Sequence, residues 1–123
     1  MSRKKILLVD DSNTVILMEK MILAKGPYDI VVAKDGQEGV EMAAAQKPDL
    51  ILMDVMMPRM TGFEACKRLR SQKHTAAIPV ILVTTRGEEA SVKNGYDSGC
   101  NDYVTKPING GELLSKVRGY LGA

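Results

Sequence analysis

The chain has 123 residues, 45% of them apolar, and a net charge of +2 at neutral pH. That length fits one domain, expected over 1–123, able to bury roughly two-thirds of its unfolded surface. No apolar run approaches the ~20 residues of a membrane span, and so small a charge argues against nucleic-acid binding, which shows as a clustered basic stripe.

The basic start Met1-Ser2-Arg3-Lys4-Lys5 leads only into Ile6-Leu7-Leu8-Val9 before Asp10-Asp11. That is too short for a signal peptide, so a cytoplasmic location is expected. The run at 5–9 reads as a first strand. A helix near 13–25 follows, with Val15, Met18 and Ile22 on one face, Asp11 or Ser12 as its cap and Gly26-Pro27 as its stop. A second strand at 30–33 precedes a helix capped by Asp35, with Val40, Ala43 and Ala44 facing inward and Lys47-Pro48 closing it. The third strand, 49–53, ends in Asp54. After the loop at 55–60, Thr61 and Glu64 have capping-box spacing, and Phe63, Cys66 and Leu69 form a helical stripe. Ile78-Pro79 opens a fourth strand that ends in Thr84-Thr85. The helix near 88–98 is the weakest pattern: its apolar face is Val92 and Tyr96, Gly95 lies inside it, and Thr85 and Glu88 have cap spacing. A fifth run, 100–104, leads through Thr105 to Lys106-Pro107. The last helix carries Leu113, Leu114, Val117 and Leu121 behind Asn109 as N-cap.

Short continuous apolar runs alternating with helices predict an α/β fold, a doubly wound five-stranded parallel sheet of order 2-1-3-4-5. Parallel strands share one carboxyl edge, so Asp10, Asp11, Asp54, Thr84 and Lys106 are expected to converge there, where such sheets bind ligands. Cys66 and Cys100 are expected as buried free thiols, and His74, the single histidine, as an exposed loop residue. The eight methionines, Met56 and Met57 among them, are expected to pack in core and loops.

Three carboxylates within ~5 Å repel by about 3 kcal/mol per pair at an effective dielectric near 20. Either one stays protonated or a cation joins them. Hard oxygen ligands without His or Cys suit Mg²⁺. Lys106 and the Thr84 hydroxyl could then receive the oxygens of an anionic phosphoryl group, with a carboxylate as nucleophile.

Four stretches carry a resemblance over nearly the whole chain: Leu8-Val9-Asp10-Asp11-Ser12, Leu52-Met53-Asp54-Val55-Met56-Met57-Pro58, Val83-Thr84-Thr85, and Asp102-Tyr103-Val104-Thr105-Lys106-Pro107. Together they resemble the receiver domain of two-component response regulators, the CheY-like family. The resemblance implies a signalling domain rather than a conventional enzyme. Asp54 would take a phosphoryl group from a sensor histidine kinase. Asp11, Asp54 and the Met56 backbone carbonyl would bind Mg²⁺, with Asp10 assisting through water. Lys106 would contact the phosphoryl oxygens, Thr84 would move to bond one of them, and Tyr103 would be the switch aromatic. The Lys106-Pro107 bond would be cis. Output would pass to a partner protein through the helix near 88–98, the fifth strand and the last helix. The narrower expectation is control of flagellar or pilus-based motility. Arg59 stands where the family often has Gly, and Met56 and Arg86 occupy variable positions beside the pocket. Two other readings stand beside this one: an adaptor that keeps the fold without the chemistry, and a small Mg²⁺-dependent phosphatase with an Asp nucleophile. The phosphatases of the haloacid-dehalogenase group want a second Asp two residues on, where this chain has Met56.

Overall fold

Both faces of every central strand are apolar, so the sheet must be covered on both sides. The computed structural model, which describes residues 3–85, 93 and 96–122, shows how. The strands are β1 (Lys4–Val9), β2 (Tyr28–Ala33), β3 (Leu50–Asp54), β4 (Val80–Thr85) and β5 (Asp102–Lys106), and the helices are α1 (Asn13–Leu23), α2 (Gly36–Gln46), α3 (Gly62–Ser71) and α4 (Gly110–Leu121). The strands form one parallel sheet in the order β2-β1-β3-β4-β5, as the alternation predicts. The helix expected near 88–98 falls largely on residues 86–92, 94 and 95, outside the described residues, as do Arg86, Glu88, Val92 and Gly95.

Side chains alternate across the sheet into two apolar layers. Leu7, Val9, Ile51, Met53 and Leu82 pack with Val40, Ala43, Cys66 and Leu69 on the side of α2 and α3. Ile6, Leu8, Leu50, Leu52, Ile81 and Val83 pack with Ile16, Leu23, Leu113 and Val117 on the side of α1 and α4. Cys66 and Cys100 are buried free thiols.

The helix starts are built by local hydrogen bonds, each satisfying an amide that the first turn leaves open. Ser12 caps α1, Asp35 caps α2 and Asn109 caps α4, and Thr61 and Glu64 form a reciprocal capping box on α3. The inward face of α1 differs from the expectation. Its fully buried residues are Ile16, Glu19 and Leu23; of the expected face, Ile22 packs against the same layer and Val15 is half-buried, while Met18 is exposed along with Leu17 and Met21. Apolar residues lie on both sides of this helix, and a glutamate holds a core position, so hydrophobic periodicity alone points one residue off. The fifth strand also starts later than expected, at Asp102, and runs through Lys106.

Candidate functional site

Strand register brings the polar residues to one edge. Val9 pairs with Met53, and Asp54 pairs with Val83, so Asp10, Asp54 and Thr84 follow one another across three adjacent strands. The Asp10 amide still donates to Ala33 O at 3.1 Å, which extends the ladder one residue past β1. Asp10 Oδ1 then accepts from the Ser12 amide at 2.8 Å, turning the chain into α1 and fixing the carboxyl inward. Its Oδ2 is buried and has no hydrogen-bond partner.

Asp54, the last residue of β3, is buried. The loop after it folds back closely. Gly62 donates to Val55 O at 2.8 Å, and a Cβ at Gly62 would lie 2.4 Å from Asp54 O, so only glycine fits against that carbonyl. Asp10, Asp11 and Asp54 each offer a carboxylate oxygen, and these oxygens lie within 4.8 Å of one another. Lys106 Nζ stands 3.2 Å from Asp54 Oδ1. Thr84 Oγ1 is buried without a hydrogen-bond partner.

Electrostatics follow from this crowding. Burial pushes the Asp54 carboxyl above the usual range, and Asp11 adds to this, while Lys106 pulls the other way. Burial also raises Asp10, with Asp54 and Asp11 adding repulsion against the Ser12 amide and Lys106. A third acid joins them from α1. Glu19 is 1% exposed, and burial followed by repulsion from Asp10 and Asp54 pushes it up to about 8.

The residues fit a hard divalent cation. The donors are all carboxylate oxygens, one of them a buried acceptor with no partner, and the single histidine, His74, is an exposed turn residue. A cation there would relieve the repulsion that otherwise raises Asp10 and Asp54.

Around the cluster, the Lys106–Pro107 peptide is cis. Tyr103 is half-buried on β5. Its ring meets Tyr96 edge-on at 6.0 Å, and Lys116 Nζ lies 5.9 Å from its centroid. Lys116 is itself bound to Asp102 Oδ1 at 2.8 Å. The Met56 side chain does not pack as expected: it is 66% exposed, since the loop turns it outward while Met57 goes in. Arg59 adopts φ +69, the left-handed region that glycine occupies freely. Sequence reasoning missed Gly62 and Glu19. Gly62 had a weak signal, a glycine directly after a helix N-cap. Glu19 had none, because a glutamate on a helix ordinarily faces water.

Comparison with known proteins points one way. The response regulator receiver domain family matches residues 6–118. The chain is 39% identical over 118 residues to the alkaline phosphatase synthesis transcriptional regulatory protein PhoP of Bacillus subtilis, covering 96% of this chain and 48% of that one. It spans about half the length of PhoP and of other transcriptional regulators it matches. The chemotaxis protein CheY4 of Vibrio cholerae superposes with a TM-score of 0.89 at 32% identity, over 97% of this chain and 99% of that one. The receiver domain of sensor histidine kinase PA1611 from Pseudomonas aeruginosa, whose structure has a magnesium ion coordinated in the active-site cleft, gives 0.90 at 29% identity, over 99% of this chain and all of that one.

Proposed function

This chain belongs to the response regulator receiver domain family of two-component signalling, and on that premise we propose that Asp54 is its phosphoryl acceptor, with a sensor histidine kinase as donor. The observation that carries the reading is the juxtaposition at Asp54: two further carboxylates within 4.8 Å and one ammonium at 3.2 Å. Neighbouring acids that would suit a cation, together with a lysine within reach, support a carboxylate that meets an anionic phosphoryl group.

Asp11, Asp54 and the backbone carbonyl of Met56 would hold Mg²⁺, with Asp10 in support. The cation would supply positive charge that offsets the carboxylates and the incoming phosphoryl oxygens. An Asp54 oxygen forms a bond to phosphorus as the bond from phosphorus to the donor's imidazole nitrogen breaks, and the imidazole leaves with that electron pair. Lys106 receives phosphoryl oxygen charge as it gives up its pairing with the Asp54 carboxylate. The Thr84 hydroxyl, free of any hydrogen-bond partner, moves to donate to another oxygen. That movement vacates space for Tyr103 to turn inward, which changes the surface of β5 and the neighbouring helices that a downstream protein reads. The domain is 1–123 and acts in the cytoplasm, and likeness to a chemotaxis protein supports a motility pathway as its setting.

The test is intact-mass measurement after incubation with Mg²⁺ and a small phosphodonor. The parent chain gains one phosphoryl group and Asp54→Asn gains none. No adduct on the parent refutes the reading, and an adduct on Asp54→Asn moves the nucleophile elsewhere.

A further inference from the structure

Three of the four tyrosines, Tyr96, Tyr103 and Tyr120, gather at β5, an outer strand of the sheet. Side chains satisfy two backbone groups there. The Tyr103 amide donates to Asp102 Oδ1 at 2.8 Å, and the Asn101 carbonyl accepts from the Tyr120 hydroxyl at 3.0 Å. Asp102 Oδ1 also accepts from Lys116 Nζ on α4, at 2.8 Å. The Lys116 and Asp102 side chains are only 30% and 23% exposed, so solvent screens this pair less than one on the open surface.

The anchored ammonium has a second neighbour. Lys116 Nζ lies 5.9 Å from the centroid of the Tyr103 ring, within cation–π reach. Tyr96 adds a further contact, its ring meeting Tyr103 edge-on with centroids 6.0 Å apart and planes at 84°. The Tyr96 carbonyl accepts from the Gly99 amide at 3.0 Å, so this second ring is tied to the turn before β5. Tyr103 is itself half-buried against the layer of α2 and α3. A ring that leaves this place gives up both Lys116 and Tyr96.

We infer that Lys116 is a positioning residue for Tyr103: anchored by Asp102, its ammonium clasps the phenol ring together with Tyr96, and the strength of that clasp sets how readily the ring turns inward. The contacts stand by themselves, while their effect on phosphoryl uptake rests on the roles of Asp54 and Tyr103 proposed above. The direction follows from population shift. A restraint made only in the resting position stabilises the unphosphorylated domain, so loosening it favours the phosphorylated one. Loss of a contact of cation–π strength changes that ratio about two- to fivefold.

The experiment uses the full chain with ¹³C-labelled tyrosine rings. Only four tyrosines are present, so Tyr103→Phe assigns the Tyr103 signal by its absence. Lys116→Met keeps the straight stem and removes the ammonium, whereas Lys116→Arg keeps a cation that bonds carboxylates and stacks on rings. In Lys116→Met the Tyr103 signal should move from the parent position toward the one the parent takes after incubation with Mg²⁺ and a small phosphodonor. The rate of adduct formation by intact mass should rise about two- to fivefold. Lys116→Arg should match the parent in both. An unmoved Tyr103 signal in Lys116→Met overturns the inference, as does a moved signal with an unchanged rate, or a Lys116→Arg chain that behaves like Lys116→Met. Absence of an adduct on the parent overturns the phosphoacceptor reading instead, and the ring signals of the unphosphorylated chains still decide whether Lys116 positions Tyr103.

Discussion

The two edges of the sheet use polar residues in opposite ways. At the amino-terminal edge, Arg70 donates from Nε to Gly99 O at 2.9 Å, from Nη1 to Ile78 O at 2.8 Å and from Nη2 to Asn101 Oδ1 at 2.7 Å. Asn101 Oδ1 also accepts from the Val80 amide, and the Asp49 carboxylate accepts from the Lys5 amide. Buried Thr75 gives its hydroxyl to Leu69 O. At the carboxyl edge, Asp10 Oδ2 and Thr84 Oγ1 are buried with no partner, and buried Glu19 on α1 leaves Oε1 unpaired. An unsatisfied buried group costs about 1–3 kcal/mol. One edge thus ties the fold together, while the other leaves acceptors and a donor unsatisfied beside the acidic cluster, at a cost in stability.

The sharpest way to test that division is to cut the first edge. Arg70→Ala removes three hydrogen bonds from a cation and deprives two part-buried backbone carbonyls, of Gly99 and Ile78, of that donor. It should cost about 3 kcal/mol in urea unfolding. Mg²⁺ affinity at the opposite edge should stay within about twofold, since distant sites behave independently. A tenfold loss of Mg²⁺ affinity in a chain that still folds would break the comparison.

The second test makes the carboxyl edge reveal its cost through pH. Glu19 titrates near 4.5 unfolded and about 8 folded, so the folded chain holds the extra proton in between. Stability is then fully present below the unfolded value and is lost as pH rises through the folded one. Without Mg²⁺, the parent should lose roughly 3 kcal/mol relative to Glu19→Gln between about pH 5 and pH 8. Asp10 and Asp54 are present in both chains, so the difference isolates Glu19. Parallel stability curves would mean that α1 accommodates the carboxylate without strain.

Legibility in the sequence divides along the same line as function. The strands are readable because each is a short apolar run, and the sheet order follows from strict alternation. Asp10, Asp11, Asp54, Thr84 and Lys106 are readable because they interrupt those runs at the shared edge. Glu19 is not, because it breaks the rule that charged residues leave the core, and the exposed Leu17, Met18 and Met21 draw the apolar pattern off the true face. The Arg70 network is equally hidden. Two of its three acceptors are backbone carbonyls, which every residue possesses, so no side-chain type in the sequence announces them. Gly62 shows only as a glycine near a cap, and its reason, the approach to Asp54 O, exists only once the loop has closed.

The smallest test concerns strain in the loop beside Asp54. Arg59 holds φ +69, where an L side chain meets its own carbonyl at a cost of about 1 kcal/mol. Its ion pair with Asp35 is long, at 3.6 Å, and its side chain is largely exposed, so the pair offsets little of that cost. Arg59→Gly should therefore stabilise the chain by about 0.5–1 kcal/mol, after the greater unfolded freedom of glycine is counted. Arg59→Ala provides the control. It deletes the same ion pair and keeps the Cβ, so it should leave stability near that of the parent. The Gly–Ala difference in urea midpoint then reads the backbone term alone. If the two variants match, the loop relaxes without strain, and the stability spent at the carboxyl edge resides in its unpaired side chains rather than in its backbone.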